Sequence, residues 1–200
     1  MNMSKDYNDV SQYQDALIEW ELGDGTNPKP RLVMVRANLK WADLVMADLT
    51  EANLQGADLR RADLYGARLQ DADLRVADLQ GTDLRTANLR FADLRFADLT
   101  GADLAGAHLR FAELQVADLT ASNLRFADLK GAYLYGAKLR FTDLTLAYLH
   151  GADLTAANFQ DAYLHGADFT EAKFDETTTL PNGAKWTPDT DMTVFTGQGE

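Results

Sequence analysis

Residues 92–111 read ADLRFADLTGADLAGAHLRF: four five-residue units in succession, each with Ala, a usually acidic residue and Leu, then two variable positions. Outward from this stretch the rhythm runs without insertion from Ala37 to Phe174, through twenty-eight units. With the Leu of each unit called i, position i is Leu in 25 units and Phe in three, Phe159, Phe169 and Phe174. Position i−2 is Ala in 25, the exceptions being Thr82, Ser122 and Thr142. Position i−1 is Asp in 15 and Asn in 5, and otherwise Arg68, His108, Glu113, Tyr133, Lys138, Tyr148, Tyr163 or Lys173.

An apolar period of five fits neither the 3.6-residue helix nor a long two-residue strand alternation. It predicts a solenoid. Residues i−2 and i lie two apart, so both point inward from a short extended segment while i−1 points out. All nine glycines of the repeat region stand at i+2, the position where a type II turn demands positive φ. Each unit is therefore one short strand and one bend, and four roughly right-angled bends close a lap of twenty residues. The three hydroxyl residues at i−2 differ by forty and twenty, which places them in one interior column as a hydroxyl ladder. The three Phe residues fall in the last lap. Twenty-eight units make about seven coils, a rod of roughly 34 Å at the spacing of stacked strands.

The tandem A-(D/N)-L-x-x register resembles the pentapeptide repeat family, in particular its cyanobacterial-type members. The resemblance covers about 138 of 200 residues. It implies an all-β fold, a right-handed quadrilateral parallel β-helix, and the right hand agrees with the general preference of parallel crossovers. It also implies a functional alternative, because some members imitate duplex DNA and inhibit type II topoisomerases such as DNA gyrase.

The open ends of such a rod need covers. Val10, Tyr13, Leu17 and Trp20 follow helical spacing, with Asn8 or Ser11 as cap and Gly23 as stop, so an N-terminal α-helical cap and linker are expected over 1–31. The β-helix is expected over 32–176, with Leu32 and Met34 opening a partial unit. Residues 177–200, with Pro181-Asn182-Gly183 and Trp186, are expected to fold back and seal the last coil, leaving a tail.

No run is long enough to span a bilayer, and Met1 to Ser11 lacks the apolar core of a signal peptide, so cytoplasmic residence is expected. The absence of cysteine removes disulfides and thiol chemistry. His108, His150 and His165 face outward without clustering, and a Leu-filled rod offers no cleft. No enzyme, cofactor or metal site is expected.

Charge is the next clue. The net charge is −12, but the repeats contribute 20 acids against 14 bases, and the four faces carry 0, −3, −2 and −1. Columns such as Asp43, Asp63, Asp83 and Asp103 are offset by Arg at i+1, a mixed field unlike a phosphate backbone. Asp and Asn also support turns through nearby backbone, which accounts for them without a partner. Direct nucleic-acid or membrane binding is not expected.

Arg95-Phe96, Arg110-Phe111, Arg125-Phe126 and Arg140-Phe141 recur every fifteen residues, or three units. They therefore trace a diagonal around the rod. Where the third and fourth faces meet, Val76, Phe91, Phe96, Phe111 and Val116 are expected near one another, the best candidate protein-contact patch. The competing reading is that the rings stack on neighbouring coils beneath guanidinium groups. The sequence thus predicts a non-enzymatic structural or protein-interaction scaffold, monomer or weak homodimer, with an unknown protein partner.

Overall fold

The structure, a computed structural model, describes Asp6–Tyr7 and residues 31–197. The helix expected from Val10 to Trp20 lies outside the described residues. Within them, the main chain coils with a lap of twenty residues. Every outward residue i−1 is bridged in parallel to the one twenty further on, from Val33↔Asn53 through Asp93↔Glu113 to Asp153↔Lys173. The strands are so short that each is a single bridged pair per lap.

One unit shows how the coil is held. The turn closes where Ala107 N–H donates to the Leu104 carbonyl at 2.9 Å. Asp103 N–H donates back to Thr82 of the previous lap at 3.0 Å, while Leu104 and Gly106 donate forward to Asn123 and Arg125 at 2.7 and 2.8 Å. Ala102 N–H closes the preceding turn on Leu99, which leaves only the N–H of Ala105. The Asp103 carboxylate accepts that one at 3.1 Å. All five donors are satisfied, as an interior of this density requires.

Residue i+2 is left-handed in twenty-eight consecutive units, from Arg36 (φ 54°) to Glu171 (φ 58°). Positive φ at that position only is the signature of a type II turn. The sequence supplies Gly at nine of these places; the other nineteen are occupied by side chains that accept the strain.

Inside, Ala and Leu alternate and are buried almost without exception, from Leu32 to Ala167. Each lap places Ala on Ala and Leu on Leu, and the lap length keeps the columns aligned. Thr82, Ser122 and Thr142 do share one interior column, but they do not bond to one another. Each donates to a turn carbonyl: Thr82 to Leu59 at 2.8 Å, and Ser122 and Thr142 both to Leu119 at 2.7 Å. A turn carbonyl keeps a second lone pair after closing its turn, and the hydroxyls settle there, with Ser122 and Thr142 sharing that of Leu119.

At the first coil, β1 (Asp6–Tyr7) pairs in parallel with β2 (Arg31–Leu32). Leu32 is fully buried and Val33 is bridged to Asn53, so an opening unit forms there. At the far end the bridge step changes from twenty to twenty-one residues, Asn158↔Thr179. The extra residue lies between Phe174 and Thr178, and the coil continues through buried Thr178 and Leu180. The Asp175 carboxylate gathers that widened corner: one oxygen accepts from the N–H groups of Ala156, Thr177 and Thr178 at 3.0 to 3.1 Å. Phe159, Phe169 and Phe174 form an aromatic plug, and Trp186 stacks on Phe174 with centroids 5.8 Å apart. Helix α1 (Thr193–Thr196) then ties back through Gly166 N–H to Thr196 O at 2.7 Å.

Leu104 sits mid-rod with no exposure. Leu104→Ala should lower stability by about 2–5 kcal/mol, read as a shift in the denaturation midpoint. Leu104→Lys should abolish cooperative melting; a soluble protein that melts like wild type would contradict the inward placement.

Candidate protein-contact surface

The outward residues divide into those that serve the fold and those that do not. All twenty Asp and Asn residues at i−1 accept the backbone N–H two residues further on, at 2.9 to 3.3 Å. These side chains therefore have a structural duty before any partner is considered.

Several of the carboxylates are then engaged a second time. Arg60, Arg75, Arg85 and Arg95, each at i+1, grip the Asp of their own unit through Nε and Nη2 at 2.5 to 2.9 Å. Each also reaches the carboxylate one lap on: Arg60 to Asp78, Arg75 to Asp93, Arg85 to Asp103 and Arg95 to Glu113, at 3.0 to 3.8 Å. Bidentate Arg–carboxylate geometry favours the charged form of both partners. The Arg60 side chain accordingly holds Asp58 well below the usual carboxylate range, at about 2. The hydrogen bond from Arg85 likewise depresses Asp83.

The five predicted contact residues all occupy turn position i+2 and are exposed: Val76 and Phe96 at 60%, Phe91 at 49%, Phe111 and Val116 at 40%. The lap register does not put them at one corner. Phe91 and Phe111 stack in one column, with ring centroids 5.4 Å apart and planes 9° from parallel. Val76, Phe96 and Val116 stand in the next column, one unit further along the chain. Between the columns runs the face of Asp73, Asp93, Glu113 and Tyr133. The patch is thus two apolar ridges flanking one face, because Phe91 and Phe96 end consecutive units. The Phe111 ring rests on Gly131, where a Cβ would come within 2.5 Å of it.

The Arg-Phe pairs follow the competing reading in part. The guanidinium groups of Arg125 and Arg140 lie 5.7 and 5.3 Å from the centroids of Phe126 and Phe141, as does that of Arg90 over Phe91 at 5.7 Å. Among the histidines, His150 lies 3.2 Å from Glu171. No group of three or more acidic or His side chains converges as a metal site among the described residues. Sequence reasoning missed one feature: Arg90, Arg110 and Lys130 stack in a single column. The available signal was a cation at i+1 in three consecutive laps, with Asn88 and His108 rather than Asp two residues before the first two.

The family model for pentapeptide repeats (8 copies) matches residues 34–71, 67–106, 102–140, 112–151 and 147–178. The chain belongs to the pentapeptide repeat family. Pentapeptide repeat proteins form a right-handed β-helix, and four units per lap make this one quadrilateral. No curated protein matches the chain. Among solved structures, HetL is a pentapeptide repeat protein involved in heterocyst differentiation regulation in the cyanobacterium Nostoc sp. strain PCC 7120. It is 34% identical, with 80% of this chain and 82% of HetL covered and a TM-score of 0.46. A pentapeptide repeat protein of the Arabidopsis thaliana thylakoid lumen is 34% identical over 52% of this chain and 69% of its own, with a TM-score of 0.33. QnrB1, a plasmid-mediated fluoroquinolone resistance protein, is 20% identical over 73% and 82%, with a TM-score of 0.45. Among the described residues no helix is long and apolar enough to cross a membrane.

Asp175, like Asp58, is held at about 2, first by the N–H of Ala156. A carboxyl whose folded pKa is lowered stabilises the fold above its ordinary value of 3.8 and loses that contribution as pH falls through the folded value. The melting temperature should therefore be level from about pH 7 to 5 and drop between about pH 4 and 2. Asp63 accepts the N–H of Tyr65 at 3.0 Å. Asp63→Ala should cost about 1 kcal/mol in denaturant titration, and Asp63→Asn much less.

Proposed function

We propose that this pentapeptide repeat protein is a non-enzymatic scaffold that binds another protein across the face between the ridges Phe91–Phe111 and Val76–Phe96–Val116. The observation that carries the reading is the backbone under those residues. Val76, Phe91, Phe96, Phe111 and Val116 all have φ between 58° and 60°. A left-handed conformation costs a side-chain-bearing residue roughly 1–2 kcal/mol that Gly avoids, and it is least favourable for β-branched Val. Other turns of the same rod do use Gly, such as Gly101 at another corner and Gly136 in the very column of Val76, Phe96 and Val116. Large apolar groups kept exposed at a strained position support a role in contact with another molecule.

The face between the ridges suits a protein partner. Its acids are matched by Arg75 and Arg95, so docking there desolvates no unpaired carboxylate among Asp93 and Glu113. The same pairing counts against the alternative of a DNA-mimicking gyrase inhibitor, which needs a phosphate-like negative field. On our reading the rod is about seven coils over 32–176, with an N-terminal helical cap within 1–31 and a closing segment over 177–200. We place its work in the cytoplasm, as a monomer or weak homodimer.

The experiment separates contact from folding. In Phe96→Gly/Val116→Gly the turn strain is relieved, so the variant should melt within a few degrees of wild type or higher. It should also lose the protein that wild type retains in cross-linking capture, or, where that protein is a second copy, elute as a monomer in gel filtration. Equal retention by a folded variant would remove these ridges from consideration.

A further inference from the structure

We propose that the column Arg90, Arg110 and Lys130 is a docking trough for an acidic polypeptide segment, a reading that rests on protein binding as the role of this rod. Four other arginines at i+1, Arg60, Arg75, Arg85 and Arg95, are consumed by the Asp of their own unit. Arg90 and Arg110 are not, because Asn88 and His108 stand where that Asp would be. Arg90 has no carboxylate partner among the described residues, and the nearest approach to Arg110 is Asp128 Oδ2 at 3.9 Å from Nε. The Nε atoms of both arginines are buried from solvent and have no hydrogen-bond acceptor among the described residues. Lys130 Nζ lies 5.4 Å from the centre of the Tyr148 ring, with no carboxylate at ion-pair distance among the described residues.

The column ends at side chains that already have partners. One lap before it, Arg68 pairs with Asp48 at 2.8 Å, and one lap after it His150 meets Glu171 at 3.2 Å. Between those pairs the one acid in the laps of the three cations is Asp128, and Asp168 further along the face feels the charge of Lys130, on a protein whose net charge is −12. The trough has aromatic rims: stacked Phe91 and Phe111 on one corner, and on the other a shallow groove of about 410 Å³ lined by His108, Phe126 and Tyr148 among others. Three cations on successive laps span about 10 Å along the rod. That length suits two or three carboxylates of one segment, and the rims suit an aromatic or aliphatic residue beside them. Charge complementarity selects the occupant: an acidic segment gains ion pairs that a neutral or basic one lacks.

The test is fluorescence anisotropy of the full chain with a short labelled peptide rich in Glu and carrying one Phe. A peptide with Gln in place of Glu, inorganic polyphosphate and single-stranded oligothymidine serve as further probes. The acidic peptide should bind, release as salt is raised, and bind about fivefold or more weakly to Arg90→Gln/Arg110→Gln, since each exposed pair contributes modestly. Lys130→Gln should weaken it in the same direction, while Arg85→Gln on another face should not. Melting curves establish that the variants are folded, and Arg90→Lys/Arg110→Lys should restore part of the binding. Equal affinity for the Gln peptide, an unchanged affinity in the double variant, or tighter binding of polyphosphate or oligothymidine through the same arginines would overturn the proposal. Failure here with the ridge-dependent partner still captured would leave the scaffold reading intact and remove only the acidic segment.

Discussion

The main-chain ladder between laps governs everything else in this molecule. A forward bond such as Leu104 N–H to Asn123 O, together with its return, Asn123 N–H to Ala102 O, exists only while successive laps are equally long. Equal laps then stack Ala on Ala and Leu on Leu, so interior composition follows from backbone periodicity. The ladder also explains where the rod ends. One extra residue after Phe174 shifts the bridge step to twenty-one, and the Asp175 side chain replaces the main-chain carbonyl that Ala156 would otherwise meet. Aromatic rings fill the wider last lap, where Leu would leave space.

Much of this was readable from the chain because the repeat offers few alternatives. Inward Ala and Leu, the outward Asp, the turn at i+2 and the common column of Thr82, Ser122 and Thr142 all follow from counting. Hydrogen-bond partners were harder to read. Spacing shows that three hydroxyls share a column, but not that a turn carbonyl with a spare lone pair draws them away from one another. It likewise suggests that Asp supports a turn without identifying the N–H two residues on as the one donor the ladder omits.

Surface placement was the least readable part. Val76, Phe91, Phe96, Phe111 and Val116 looked like one cluster because they are close in lap number. A single unit nevertheless separates two corners by a whole face, so stacking of Phe91 on Phe111 leaves Phe96 on the other ridge. The cation column escaped notice for a related reason. Net charge summed over a face averages Arg90 and Arg110 with acids several laps away, whereas ion pairing is decided within one unit.

Because the core asks only for whole units, in-frame duplication of any multiple of five residues extends the rod without disturbing its interior. The surface obeys a stricter arithmetic. A gain of twenty residues lifts the outward pattern straight up, while a gain of fifteen turns it by a quarter revolution, as the Arg-Phe dipeptides from Arg95 to Phe141 do. Such a rod can lengthen and reassign its faces by recombination alone, with its interior indifferent to which face is shown.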